Sequence, residues 1–165
     1  HVRPSGAGHF VKMVHNGVEY ALMQSYAEGF ELLKAKKEFA LDLAKVAEIW
    51  CHGSVVRSFL LDLVATALEQ NPEMEGVRAY VEDTGEGRWT VMESVELAVP
   101  VPVIALSLQA RFRSRQEQPF GCGAVKEVAT RLVGLWLFGH PHPRHGIHRL
   151  SQPLQEQARR ILQKP

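Results

Sequence analysis

Residues 6 to 20, Gly6-Ala7-Gly8-His9-Phe10-Val11-Lys12-Met13-Val14-His15-Asn16-Gly17-Val18-Glu19-Tyr20, limit the possible folds more than any other stretch of this chain. Wound as a helix at 100° per residue, they divide into two faces. Ser5, Gly8, His9, His15, Asn16, Glu19 and Tyr20 fall within about 80° of Lys12. Phe10, Val14, Gly17, Val18, Ala21 and Ser25 fall on the opposite side. An apolar face interrupted by small residues has to be buried against another element, so the segment predicts helix packed closely on helix. The polar face is unusual for one that is merely wet. Solvated faces are commonly built from complementary Lys, Glu, Arg and Gln, whereas this one holds two histidines, an asparagine and a tyrosine beside Lys12 and Glu19. Gly8 and Gly17 each cost about 1 kcal/mol relative to alanine inside a helix. The expected compensation is close approach of another backbone or of a ligand.

The rest of the chain reads as further helices. The first runs from about Ser5 to Ala35. Leu43 to Cys51 is a short second helix, stopped by Gly53. Ser54 is the expected N-cap of a third, with Val55, Phe59, Leu60, Leu63 and Ala67 as its apolar stripe and Asn71-Pro72 as its end. Tyr80 to Trp89 is a turn-rich connection. A fourth helix starts at Trp89 or Thr90 and is closed by Pro100; a fifth spans Val101 to Arg115, a sixth Val125 to Phe138 and a seventh Gln152 to Gln163. A fragment at 77–82 is the one candidate strand. The fold class predicted is all-α.

Composition removes several functions. At 165 residues with 45 % hydrophobic content, the chain can bury the core of one domain but not of two comfortable ones. The 19 basic and 18 acidic residues leave a net charge of +1, without the clustered excess of Lys and Arg that nucleic acid requires. The run Arg111, Arg113, Arg115 suits one phosphate better than a polyanion. Two cysteines, Cys51 and Cys122, outside any Cys-x-x-Cys spacing, argue against a disulfide framework or a structural zinc and for a reducing cytoplasm. The longest apolar stretches are broken by Pro100 and Pro102 or are too short to span a membrane. Gly6-Ala7-Gly8 is not a dinucleotide fingerprint, because Val11 stands where the third glycine belongs and no predicted strand precedes it.

The stretch Gly6 to Tyr20 resembles the substrate-binding signature of the 6-phosphogluconate dehydrogenase family, at the start of that family's all-helical C-terminal domain. Asp83-Thr84-Gly85-Glu86-Gly87-Arg88-Trp89-Thr90 is similar to the family's Gly-x-Gly-Lys/Arg-Trp-Thr turn, and Gln109-Ala110-Arg111-Phe112 to its Phe-Ala-Arg. The resemblance covers roughly residues 3 to 120. It implies a C-terminal-like helical domain over 1–120, a divergent helical tail over 121–165, and a Rossmann domain for NADP or NAD upstream of a chain that opens on His1 rather than Met. The choice between NADP and NAD would be made in that domain. The resemblance also implies a cytoplasmic homodimer, whose tails exchange between subunits, acting on 6-phosphogluconate in the pentose phosphate pathway and gluconate utilisation.

The implied reaction is the oxidative decarboxylation of 6-phosphogluconate to ribulose 5-phosphate. A base takes the hydroxyl proton as hydride leaves for the nicotinamide, the β-keto acid loses CO2, and an acid protonates the enediol. By resemblance the base is Lys12, whose pKa burial would lower, and the acid is Glu19. Their i, i+7 spacing puts both on one face about 10 Å apart. His15 would contact substrate hydroxyls, and Asn16 would bond a hydroxyl or hold the lysine. Tyr20 and Arg111 would hold the phosphate, the guanidinium by bidentate charge-assisted bonds.

Departures from the family pattern have their own consequences. Thr84 and Glu86 stand where many members place a phosphate-contacting lysine and threonine, so Glu86 is expected to face outward or to weaken phosphate binding, with Arg88 as a replacement charge. The short-chain branch of the family carries a similar turn. Phe138-Gly139-His140 keeps a trace of a substrate-closing tail, but Leu135 replaces its arginine. His140, His142, His145 and His148 are dense enough to suggest a metal; Pro141, Pro143 and Gly146 break the frame that would hold one, and no metal site is expected. Two other readings stay open on the residues alone: a related β-hydroxyacid dehydrogenase domain, and a helical dimerisation module without catalysis.

Overall fold

Gly6 decides where the first helix begins. It adopts a left-handed conformation (φ 89°) at the N-cap, and α1 then runs unbroken over Ala7–Ala35, 29 residues. At 1.5 Å per residue that is about 44 Å. Ser5, expected to open the helix, lies in the turn before it, because left-handed backbone at Gly6 cannot carry helical bonding backwards. The computed structural model describes residues 5–138. After α1 come a single 3-10 turn at Lys37–Phe39, α2 over Leu43–Gly53, α3 over Phe59–Gln70, α4 over Glu86–Glu96, α5 over Pro102–Ser114 and α6 over Phe120–Phe138. The described residues contain no strand, so the molecule is all-α, and the 77–82 fragment is irregular backbone. The expected seventh helix lies outside the described residues.

Three starts differ from expectation for physical reasons. Ser58, not Ser54, caps α3, its hydroxyl accepting from the Leu61 amide at 3.1 Å. Tyr26 selects it: the tyrosine hydroxyl donates to Val56 O (2.6 Å), and Ser58 Oγ donates back to it at 2.8 Å. The intervening Val55 is fully exposed instead of opening an apolar stripe. Helix α4 begins at Glu86, because Gly85 takes the left-handed cap (φ 107°) that the glycine-rich turn supplies. Helix α6 begins at Phe120, directly after Pro119, which cannot donate a backbone bond and so sits well at a helix start.

The chain divides into two units, one ending at Arg115 and one beginning at Gln116. In the first, α1 is a spine shared by two packings. Toward its C-terminal end Tyr26 and Phe30 join Ala47 and Cys51 of α2 and Leu61 and Leu68 of α3 in the apolar core. Phe30 meets Trp50 with ring centroids 5.3 Å apart, a tilted pair. Toward its N-terminal end, α1 packs on α4 and α5. In the second unit, α6 carries a Glu127–Arg131 ion pair at 2.8 Å, one turn apart.

Candidate functional site

Two glycines set how closely α1 and α4 approach. A Cβ on Gly17 would come 2.8 Å from Thr90 Cγ2, and one on Gly87 would come 2.5 Å from the ring of Tyr20. Thr90 is buried and its Oγ1 lies 2.8 Å from Met13 O and 2.9 Å from Glu86 O, so one hydroxyl fastens the carbonyls of both helices. The close approach expected at Gly17 is therefore real, and the Thr90 side chain of α4, rather than a ligand, explains it. Gly8 is exposed.

This packing corrects the division of α1 into faces. Tyr20, assigned to the polar face, is 6 % exposed, whereas Phe10 and Val18, assigned to the packed face, are 43 % and 46 % exposed. The buried line runs through Gly17 and Tyr20 because the neighbour on that side is a glycine, Gly87, and a flat ring fills the space over it.

The polar residues beside Tyr20 form a short connected row. Lys12 Nζ lies 3.3 Å from His15 Nδ1, which lies 3.1 Å from Asn16 Oδ1 and 3.9 Å from Glu19 Oε2. With its proton on Nε2, His15 accepts from the lysine; with Nδ1 protonated, it donates to Asn16 and faces the Glu19 carboxylate. The row can thus pass between a lysine and a carboxylate through one imidazole. Lys12 is exposed, so the burial expected of a catalytic lysine does not come from these residues. Lys12 and Asn16 line a cleft of about 420 Å³ with His9, Phe10, Glu86 and Trp89. His15 and Glu19 line another, about 500 Å³, with Ser58 and Phe59 of α3.

Glu86 is half-buried at its place on α4. It lines the Lys12 cleft, and Thr84 Oγ1 donates to its carboxylate. That hydroxyl, with the backbone amide of Glu86 itself, holds the carboxyl below its ordinary pKa. The same threonine is bound from behind: its amide donates to the Tyr20 hydroxyl at 3.0 Å, and Tyr20 OH lies 3.4 Å from Thr84 Oγ1. Arg88 is not the replacement charge for this cleft. Its guanidinium pairs with Asp83 at 3.1 Å and lies over the Phe112 ring.

Arg111 of α5 stacks on Tyr20, its guanidinium carbon 3.7 Å from the ring centroid. One nitrogen donates to Glu82 O at 2.6 Å and the other lies 3.8 Å from Met23 Sδ. A guanidinium has five N–H donors, so donors remain for a ligand. Of the six residues singled out from sequence, Lys12, His15, Asn16 and Glu19 therefore form one row, and Tyr20 and Arg111 form one stack. Sequence reasoning missed Asp83 and Arg115 as partners. The available signal was an acid just before the glycine turn and an arginine one turn after Arg111.

Among the described residues, no group of three or more His, Cys, Asp or Glu is placed to hold a metal ion, and no helix is long and apolar enough to cross a membrane. The four tail histidines lie outside the described residues.

Residues 8–120 match the family model of the 6-phosphogluconate dehydrogenase C-terminal domain. The chain is 49 % identical over 133 residues to the NAD(+)-dependent, decarboxylating 6-phosphogluconate dehydrogenase of Haloferax volcanii, covering 80 % of this chain and 43 % of that one. It is 39 % identical over 142 residues to a decarboxylating 6-phosphogluconate dehydrogenase of Synechocystis, covering 81 % and 30 %. In structure it is similar to the 6-phosphogluconate dehydrogenase of Plasmodium falciparum, solved in its apo form, with NADP+ and with 6-phosphogluconate. That likeness has a TM-score of 0.61 at 25 % identity and covers 94 % of this chain and 32 % of the other. The chain thus spans less than half the length of these curated relatives.

Proposed function

Because the chain belongs to the 6-phosphogluconate dehydrogenase family through its C-terminal domain, we propose that it binds 6-phosphogluconate and supplies the acid and base of its oxidative decarboxylation. The observation that supports this reading is the stack of Arg111 on Tyr20, on the same helix as the Lys12–Glu19 row, which suits a guanidinium that takes a phosphate and side chains that transfer protons. In it the guanidinium and the phenol hydroxyl take the phosphate, and His15 and Asn16 take sugar hydroxyls. Lys12 Nζ removes the hydroxyl proton, and the Glu19 carboxyl returns one to the enediol carbon. Substrate closing over the exposed lysine supplies the desolvation that the ligand-free row lacks.

NAD or NADP, named for the relatives, would be held by a coenzyme domain of the same enzyme, and the roles above concern the sugar acid alone. A cytoplasmic homodimer belongs to the same proposal.

Calorimetric titration of the chain with 6-phosphogluconate and with gluconate tests it. Arg111→Ala is expected to cost about 2–5 kcal/mol for the phosphorylated ligand and almost nothing for gluconate. Equal loss for both would make Arg111 structural. In an enzyme carrying this domain with its coenzyme domain, Lys12→Met should abolish turnover while leaving the fold intact; retention of more than a small fraction of the rate would remove Lys12 as the base.

A further inference from the structure

Residues 81–84 belong to no helix or strand, yet each of the four is held by a side chain from another element. The Val81 amide donates to Ser114 Oγ at 2.9 Å, and its carbonyl accepts from Arg115 Nε at 3.1 Å. Glu82 O accepts from Arg111, and the Thr84 amide donates to Tyr20. Asp83 sits at the centre. Its side chain is 3 % exposed, and its carboxylate accepts from Arg88 of α4 at 3.1, 3.3 and 3.4 Å and from Arg115, the residue that follows α5. Those bonds hold the Asp83 carboxyl below its ordinary pKa. Both arginines also lie over the Phe112 ring, at 5.0 and 5.5 Å.

A carboxylate withdrawn from water is costly unless it is paired and fully bonded, and here two guanidinium groups do both. The arrangement does more than neutralise a charge. Arg115 lies one turn after Arg111, so a bond that fixes the end of α5 to Asp83 also fixes the carbonyl that Arg111 uses and the amide that Tyr20 uses. We propose that Asp83 is a positioning residue: by joining Arg88 to Arg115 it fixes segment 81–84, and that segment keeps Tyr20 and Arg111 stacked and ready for a terminal phosphate. This rests on the phosphate reading of Arg111 given above. Without the segment in place, Arg111 and Tyr20 each lose a fixed partner, and ordering them again falls to the ligand as a binding cost.

Asp83→Asn keeps the shape and removes the charge; Arg88→Gln opens the bridge from its more exposed side should the first variant fail to fold. In the ligand-free chain, hydrogen exchange at the Thr84 amide is expected to quicken by about tenfold or more, while amides in the α2–α3 core such as Leu68 keep their protection. In titrations, the variant should bind 6-phosphogluconate about tenfold more weakly and gluconate unchanged. On an Arg111→Ala background the further loss should fall below about twofold, because both changes remove the same seat. Unchanged exchange at Thr84, equal loss for both ligands, or fully additive losses would each overturn the proposal. A parent chain that does not prefer 6-phosphogluconate to gluconate would instead overturn the phosphate reading, and the Thr84 exchange would still decide whether Asp83 holds the segment.

Discussion

Gly17 shows how one missing methyl group sets the geometry of the site. Alanine is favoured over glycine in a helix by about 1 kcal/mol, so propensity alone makes Gly17→Ala stabilising. The added carbon would meet Thr90 at 2.8 Å, and Thr90 cannot swing aside without releasing Met13 O, one residue from Lys12. Overpacking of this kind costs about 1–3 kcal/mol. Urea unfolding of Gly17→Ala should therefore show a net loss of about 0–2 kcal/mol. A more stable variant would mean that Thr90 yields and that the approach of α1 to α4 is not fixed there. Tyr20 teaches the complementary lesson. Its burial is not legible from the periodicity of α1, because the position that accepts its ring is a glycine in α4 whose significance appears only once the helices touch.

At the scale of the helices, local signals located the elements and distant contacts chose their ends. The readings Leu43 to Cys51 and Val101 to Arg115 place α2 and α5 within a residue or two, whereas α3 starts four residues later than expected. Ser54 is the cap expected for α3, and the structure uses Ser58, four residues on. The choice is made by Tyr26, thirty-two residues before Ser58 in the chain. Ser58→Ala should accordingly lower stability by about 1–2 kcal/mol, through the lost cap and the lost partner of a part-buried phenol. Ser54→Ala should stay within about 0.5 kcal/mol. Thermal unfolding of the two variants side by side checks this; equal effects would mean that the Tyr26 contact contributes nothing to the choice. The same distinction applies to the site. Lys12, His15, Asn16 and Glu19 share a helical face and could be read together, whereas the Asp83 bridge joins two helices through an irregular segment and leaves no periodic trace.

For the molecule as a whole, α1 is longer than its neighbours cover. Among the described residues, Phe10, Val11, Val18, Leu22 and Leu32 stand exposed along it, a face that the proposed homodimer would cover in part. Light scattering at micromolar concentration is expected to give a homodimer, and a monodisperse monomer would remove that expectation. The exposed residues include Val18 and Leu22 in the cleft that also holds His15 and Glu19, so a partner seated there would border the row of polar groups.

Because α1 passes without a break from one packing to the other, it fixes their phase as well as their separation. One residue inserted between Tyr20 and Tyr26 would rotate everything beyond it by about 100°, turning the polar row away from its clefts while leaving the apolar core in place. Seven residues would restore the angle to within about 20°. Circular dichroism would report both insertions as helical, yet neither should keep the ligand preference, because seven residues also lengthen the helix by about 10 Å and carry His15 and Glu19 away from Ser58 and Phe59. The helix works as a keyed shaft cut to one length.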